Sequence, residues 1–574
     1  MTIRSLAAAA LLLVSPATPL LAQSQVTTTT QDFLKGHLEN LQIQATGGGV
    51  LSLAPQALPG AWQAGDKLPK PLSHHGMVVS GNRVFVIGGK SLATGAYIPD
   101  VYGATLDATT GVPKGWTAMK PLPAGRGYHG VAEYNGTIYV VGGDAPSASV
   151  DVRPEVFYSQ VQADGTLSDW KETTPLPADT STSTSAGKDL AGVVAYRGCL
   201  YLVSGATQEV FAGTPLALSA PINADGTIGD WRIKTMPTDA ARLGAPLVAA
   251  GGRLYSLGGE RMDASANRLI VGEVWRSNVE IDGTVVDWLL LPTGLPAGRS
   301  SNQNSGAALD GTLFTFGGAA PTPDGGFVRS DTVYAGALDT DGGVPNWQES
   351  TPLPTPVLLG AAATVPPVGA SAGTILFSGG EDQTGTDVDG VYAAAMTPAA
   401  GGALAYSGSF ESPIVALQGA SVSQISWVGA GAGTVGVQYR ATDATGKWAA
   451  WSAPVTISPV AVSLPAGATA FQYLVVLTGD GKTSPTVDSI TVTTSGGGTD
   501  KAGDLDGNGK VNIADVVYGL KVVAGLTTLT ADQRARLVRV GDAYPAAKHD
   551  GKFAIGDVVQ LLKFIAGLNP TYPS

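Results

Sequence analysis

The stretch RGYHGVAEYNGTIYVVGGD, Arg126 to Asp144, sets two short apolar runs around Asn135-Gly136 and ends on a glycine pair. Asn-Gly between apolar runs is a hairpin signal. The stretch decides the fold because it recurs. HHGMVVSGNRVFVIGGK ends at Lys90, LAGVVAYRGCLYLVSGA at Ala206, GAPLVAAGGRLYSLGGE at Glu260, NSGAALDGTLFTFGGA at Ala319 and GTILFSGGE at Glu381. The glycine pairs are Gly88-Gly89, Gly142-Gly143, Gly258-Gly259, Gly317-Gly318 and Gly379-Gly380; the third unit has Ser204-Gly205. A second marker keeps step, with Trp62, Trp116, Trp170, Trp231, Trp288 and Trp347 recurring at a period of roughly sixty residues, several after turns such as ADGTLSDW. Each unit therefore predicts four strands: two around the glycine turn, a VYxA-like strand after the pair, and one beyond the tryptophan turn. Alternating apolar residues suit strands packed on one another. Glycine pairs let the chain bend where side chains would crowd. One small sheet cannot bury both faces, but a ring of such sheets can.

The units resemble kelch repeats from about Pro59 to Ala405, and that resemblance implies a six-bladed β-propeller. Two departures stand out: the third pair is altered, and the last unit lacks its tryptophan. Ring closure is expected to use an N-terminal strand near Val50 to Leu53. Some kelch-like propellers belong to enzymes such as galactose oxidase, but the copper chemistry of that family needs tyrosine, histidine and a cross-linked cysteine. Here the histidines are His37, His74, His75, His129 and His549, and Cys199 sits in the apolar run GCLYLVSG as a core residue. His74 and His75 are adjacent and point to opposite faces of a strand. His75 and His129 read as equivalent repeat positions. Propeller sialidases need an arginine triad and a tyrosine nucleophile. Arg126, Arg242 and Arg299 instead recur at equivalent places, which predicts bridges between repeats. Asp169, Asp230 and Asp287 each precede a tryptophan and read as turn residues. No acid–base pair is identifiable by spacing.

Composition agrees with an all-β chain. Its 574 residues contain 77 glycines and 37 prolines with only 14% charged residues, while 44% hydrophobic residues supply cores. The net charge of -12 without a basic run argues against a nucleic-acid partner. The start, MTIRSLAAAALLLVSPATPLLAQS, reads as an export signal over residues 1–22: Arg4 is its positive end, Leu6 to Val14 its apolar core, and Ala22 its cleavage residue. No later apolar run is long enough to span a membrane. A secreted location, extracellular or at the cell surface, is the expectation. With one cysteine no intrachain disulfide forms.

Residues 23–58 read as an N-terminal β segment and 59–402 as the repeat region. From 403 to 495, runs such as SVSQISWVG, GTVGVQYRATDATGKWAAWS and FQYLVVLTGD predict a β-sandwich. It looks like accessory modules of the discoidin or carbohydrate-binding kind, where Trp448 or Trp451 would stack on a sugar ring or belong to the core. GGGTDKAG, residues 496–503, is a linker.

The last segment, 504–570, carries DLDGNGKVNIADVV. Counting Asp504 as the first loop position, Asp506 is third, Asn508 fifth, Asn512 ninth and Asp515 twelfth; Lys510 offers its carbonyl at seven, and Gly509 gives the mid-loop turn. Oxygen ligands at these offsets suit Ca²⁺. An apolar helical pattern follows, then a second copy, HDGKFAIGDVVQLLKFIAGL. There Asp550 and Asp557 fall at positions five and twelve, and Asp542 stands in for the missing first ligand in an enlarged loop. TLTADQRARLVRVG predicts a connecting helix. The module resembles a type I dockerin, which implies docking to a cohesin-like protein partner. Positions ten and eleven, which carry recognition hydroxyls in many dockerins, are Ile513-Ala514 and Ile555-Gly556 here, so the usual cohesin surface is in doubt.

Taken together, the sequence predicts a mainly β chain: propeller, sandwich, then a small α-helical calcium module. The first functional expectation is a secreted, non-catalytic binding or adhesion protein with a glycan as a possible ligand. The alternative is an extracellular carbohydrate-active enzyme, of O-glycosyl hydrolase or lyase type, carried on the dockerin-like module. A paired carboxylate in the propeller channel would favour the enzyme.

Overall fold

The computed structural model describes residues 22–27, 33, 36–44, 49–145, 152–178, 186–208, 213–263, 265, 267–366, 373–399, 401–417, 420–495, 505, 511, 513–524, 537 and 555–565. The expected export signal lies outside them up to residue 21. The fold is mainly β, with two short helices near the C-terminus.

Six four-stranded antiparallel sheets follow one another along the chain. The second runs Gly130–Tyr134, Thr137–Val141, Val156–Gln160 and Lys171–Thr173, all paired in sequence order. The others begin at Gly76–Ser80, Gly192–Tyr196, Leu247–Ala250, Gly306–Leu309 and Ala361–Val365. Each first strand lies beside the first strand of the next sheet, and the sixth lies beside the first. One apolar cluster fills each gap in the cycle. Phe85, Ile87, Val131 and Val140 join the first and second sheets, and Val84, Val86, Leu376 and Val391 join the first and sixth. This explains a difference from the sequence pattern: second strands such as Thr137–Val141 and Cys199–Val203 are buried throughout, not alternately, because a sheet covers each face. Outer strands such as Lys171–Thr173 lie in solvent.

Closure differs from expectation. The sixth sheet takes its outer strand from Ala57–Ala64, which pairs with Val391–Pro398. Val50–Leu53 instead pairs with Leu41–Gln44 and Thr486–Ser495. The choice also accounts for the tryptophan missing from the last unit. Trp62 lies in that closing strand and donates its indole N–H to the Thr351 carbonyl at 3.2 Å. Trp116 and Trp170 do the same to Asp66 and Lys120, at 2.8 and 2.9 Å. Trp231 does so to Thr174 at 3.2 Å, so four of the six tie their sheet to the preceding inter-sheet connection, whereas the indole N–H groups of Trp288 and Trp347 are buried without a hydrogen-bond partner among the described residues.

The glycine pairs have a steric cause. Gly142 has φ 61°, and a Cβ there would lie 2.3 Å from the Lys188 carbonyl oxygen. Gly88 and Gly379 lie under the rings of His129 and His75.

Two further sheets pack face to face around Phe410, Phe471, Ile425 and Ile490. One contains Ser407–Glu411, Ala470–Thr478 and Thr434–Ala441; the other contains Ser421–Ala430 and Thr486–Ser495. The N-terminal strands complete them: His37–Glu39 pairs with Ser407–Glu411, and Ala22–Thr27 with Thr486–Ser495. This sandwich covers one end of the cycle of sheets through a buried polar seam. Glu39 accepts from Tyr196 Oη and Ser409 Oγ, both at 2.8 Å, and from the Gly251 amide. Asn40 Oδ1 accepts from the Gly311 amide at 2.7 Å. Arg440 donates to Tyr134 Oη at 2.9 Å and pairs with Glu411, which also accepts from Tyr134.

The helices Ile513–Val523 and Ile555–Ile565 pack on each other through Val516, Val558 and Leu561, with Leu505 and Leu537 beside them.

Candidate functional site

The end of the cycle opposite the sandwich is organised by one residue from each unit. His74, Tyr128, Leu190, Gly244, Ser301 and Leu359 immediately precede or lead into the first strands, and all have φ between 51° and 61°. Five are not glycine, so the backbone holds an uncommon conformation repeatedly, a feature that concentrates at functional sites. The reason is a ring of backbone hydrogen bonds. Leu359 accepts from His74 at 2.9 Å, His74 from Tyr128 at 3.1 Å, Tyr128 from Leu190 at 3.1 Å and Leu190 from Gly244 at 2.9 Å. Gly244 then accepts from Asn302 at 3.2 Å, and Ser301 from Leu359 at 2.9 Å. All six sheets contribute to the circuit.

The fifth unit departs from the others. Between Ser301 and its first strand the chain inserts Asn302, Gln303 and Asn304. Asn304 donates its amide to the carbonyls of His75 and His129, at 3.0 and 2.9 Å. These are the residues just after His74 and Tyr128, so Asn304 crosses beneath the ring and fastens the two positions that carry its aromatic groups.

The residue after each glycine pair forms the rim. Lys90, Asp144, Ala206, Glu260 and Ala319 each bridge to the residue before a ring position: Ser73, Gly127, Asp189, Leu243 and Ser300. Glu381 pairs likewise with Leu358. Under one half of the ring, Leu190, Leu243, Leu358, Leu359, Ala206 and Ala319 form a buried apolar cluster with Ile270 and Tyr128 packed against it. The other half is polar and aromatic. His74 meets Tyr128 edge-on with centroids 4.1 Å apart, and its Nδ1 is 2.5 Å from Ser73 Oγ. Lys90 Nζ lies 5.1 Å from the Tyr97 centroid and 5.9 Å from that of Tyr128. Tyr97 donates to Asp144 Oδ2 at 3.3 Å.

Asp189 is buried beside Asp144. Burial, then the charge of Asp144 and a hydrogen bond shared with it, push the Asp189 carboxyl up to about 8. At neutral pH the Asp189 carboxyl thus keeps its proton. Tyr128 is raised by burial and by the charges of Asp144, Asp189 and Glu381. His74 is lowered to about 3 by burial, with Lys90 adding to the effect, so it is a neutral imidazole at neutral pH. Glu260 is tied to Arg268 and accepts from Ser300 Oγ at 2.5 Å, while Glu381 is tied to Arg329.

Several sequence expectations are resolved here. Arg126, Arg242 and Arg299 are buried bridges. The Arg126 carbonyl accepts from Gly89 of the first sheet, and its side chain reaches Gly142 O at 3.1 Å and Glu155 at 3.3 Å in the second. Arg242 joins the third sheet to Glu273 of the fourth, and Arg299 the fourth to Tyr334 of the fifth. His75 and His129 are buried at equivalent positions, and no cluster of three or more metal-ligating side chains occurs among the described residues. Cys199 is buried in the core. Trp448 and Trp451 are not exposed stacking platforms. They are 8% and 4% exposed and clasp the Arg440 guanidinium, with its carbon 4.6 and 4.4 Å from their ring centroids. Trp451 also donates to the Arg197 carbonyl at 3.0 Å. The buried seam needs a flanked, desolvated arginine, and the two indoles supply its walls.

Of the expected calcium ligands, Asp515 and Asp557 are buried in the first turns of the two helices. Asp504, Asp506, Asn508, Lys510, Asn512, Asp542 and Asp550 lie outside the described residues. The mouth residues carried one overlooked signal: the residue after each glycine pair varies as Lys, Asp, Ala, Glu, Ala, Glu while its surroundings repeat. Asp189, from a neighbouring unit, had none.

Comparison with known proteins gives one distant kelch-named relative. Over 224 residues the chain is 24% identical to Kelch-like protein 40 of Xenopus laevis, covering 38% of this chain. The match spans about a third of that relative's length, 32%. A solved structure titled "Structure of YjhT" aligns with a TM-score of 0.43 and 17% identity, over 57% of this chain and 96% of that one. No family model matches. Among the described residues, no helix is long and apolar enough to cross a membrane.

Proposed function

We propose that the chain is an exported carbohydrate-active enzyme whose active site is the ring mouth of a closed six-bladed kelch-like propeller. The carboxyl pair Asp144–Asp189 carries this reading. A carboxylic acid that keeps its proton at neutral pH, beside a second carboxyl group, a phenol and a neutral imidazole, is equipment for general acid–base chemistry. Asp189 is the acid, Asp144 the base, and Tyr128 and His74 shape the wall. The C-terminal segment is a dockerin-like attachment module. Asp515 and Asp557 are buried at the twelfth position of the two loop patterns, where a calcium loop places a side-chain oxygen ligand. Asp504, Asp506, Asn508, Lys510 and Asn512 would join Asp515 around Ca²⁺, with Asp542 and Asp550 joining Asp557 in the second loop. Calcium would then order the loops that begin both helices.

The test is product analysis by mass spectrometry after incubating the mature chain with a panel of oligosaccharides. Turnover that is lost in Asp189→Asn and Asp144→Asn supports the reading; turnover surviving in both overturns it. The non-catalytic binding reading uses the same ring of residues. Saccharide binding by the wild type without any product would establish it instead.

A further inference from the structure

We propose that the fifth unit carries a further saccharide subsite at the edge of the mouth. Phe327 is the platform for one sugar ring, and Arg329, Glu381 and Gln383 are the polar groups that meet its hydroxyls. This deepens the reading of the mouth as a saccharide site and rests on it. After their glycine pairs, the fourth and fifth units each send out a two-stranded ribbon. Glu260–Met262 pairs with Arg268–Ile270, and Ala319–Pro321 with Phe327–Arg329. The two ribbons lie side by side. Phe327 stands next to the turn of the second ribbon and is 53% exposed. No other Phe, Tyr or Trp side chain is exposed among the described residues.

The pleat decides where that phenyl group looks. Residues two apart in a strand share a face, and so do directly opposed residues of paired strands. Phe327 therefore shares its face with Pro321, Arg329 and Ala319. Ala319 belongs to the buried cluster under the ring, with Leu358 and Leu359 of the sixth unit, and Arg329 pairs with Glu381 of that same unit. The phenyl face thus looks along the rim toward the sixth unit. The platform is braced as well. Gln383 donates its side-chain amide to the Arg329 carbonyl at 2.6 Å, and the turn closes through the Thr322 amide on the Gly326 carbonyl at 3.0 Å. A rigid aromatic anchor loses little freedom when it binds. Beside it, the Arg329 guanidinium and Glu381 carboxylate are 18% and 16% exposed, and Gln383 is exposed. These groups have donors and acceptors to share with hydroxyls, while the phenyl face suits the apolar face of a sugar ring. The charge of Glu381 also helps hold the Tyr128 phenol up, so the subsite and the Tyr128 wall border one mouth. A second copy of the chain is the poorer occupant. Leu269, Phe327 and Val328 together present only about 300 Å² of apolar surface, against about 800 Å² per partner in a standard interface.

Titration calorimetry of the full chain with dimers and hexamers of β-1,4-linked glucose, xylose and N-acetylglucosamine tests this. At least one hexamer should bind about tenfold more tightly than its dimer. Phe327→Ala should remove most of that advantage, and Phe327→Tyr should keep it. Val328→Ala, on the opposite face of the ribbon, should bind the hexamer as the wild type does; thermal melting confirms that the variants fold. Hexamer affinity unchanged in Phe327→Ala overturns the inference alone, because product analysis of the Asp189 and Asp144 variants tests the active-site reading separately. Failure of every hexamer to bind overturns the inference together with the saccharide reading. A dimer of the chain in sedimentation velocity that Phe327→Ala dissociates gives the ribbon to a second copy and also overturns it.

Discussion

The side-chain amide of Asn304 donates to the backbone carbonyl of His129 at 2.9 Å, across 175 residues of chain. With its second bond to His75, it fixes the backbone beneath both aromatic ring residues. Asn304→Leu would strip two buried carbonyls of their donor. The expected loss is about 2 kcal/mol of stability, since an unsatisfied buried acceptor costs roughly 1–3 kcal/mol. Urea unfolding measures it. If Asn304 also positions the mouth, kcat should fall by more than KM rises, because Tyr128 would be misplaced relative to Asp189.

The seam between sandwich and sheets should fail at Arg440. Arg440 is 5% exposed and Glu411 is 2% exposed, so removing the arginine leaves a buried charge uncompensated. Arg440→Ala should cost about 3–5 kcal/mol on that account. Adding Glu411→Gln should restore part of it. Denaturant midpoints of the single and double variants check the coupling, and a purely additive result would remove the ion pair from the explanation.

Asp189 predicts a definite pH dependence. Its carboxyl keeps its proton to about 8 when folded, whereas an unfolded aspartate ionises near 4. Its stability contribution is therefore fully present below the unfolded value and declines as pH rises toward about 8, after which the folded carboxyl ionises too. Melting temperatures of wild type and Asp189→Asn between pH 4 and 9 should diverge, with the variant showing the flatter profile. Turnover that relies on Asp189 as an acid should fall through the same upper limit near 8.

Calcium should act on the C-terminal segment of the whole chain. Adding a chelator should reduce helical circular dichroism, and Asp515→Ala should weaken calcium binding by about tenfold or more, as loss of a buried oxygen ligand predicts. Asp504→Ala should do the same if it fills the first loop position. Unchanged calorimetric titrations in both variants would remove calcium from the account.

Much was legible in the sequence because it repeats. A hairpin turn, a glycine pair and a tryptophan recurring together specify one supersecondary unit, and such a unit cannot bury its own faces. Arg126, Arg242 and Arg299 were readable as bridges for the same reason, and so were His75 and His129. Tertiary structure decided what repetition cannot encode. It took Ala57–Ala64, rather than Val50–Leu53, to complete the sixth sheet, because strand pairing across more than three hundred residues leaves no local mark. It buried Trp448 and Trp451 against Arg440, since exposure depends on what packs above a residue. It also brought Asp144 and Asp189 from neighbouring units to one rim. The raised Asp189 carboxyl arises from its burial beside Asp144, a property of the folded ring that neither residue carries in its own stretch of sequence.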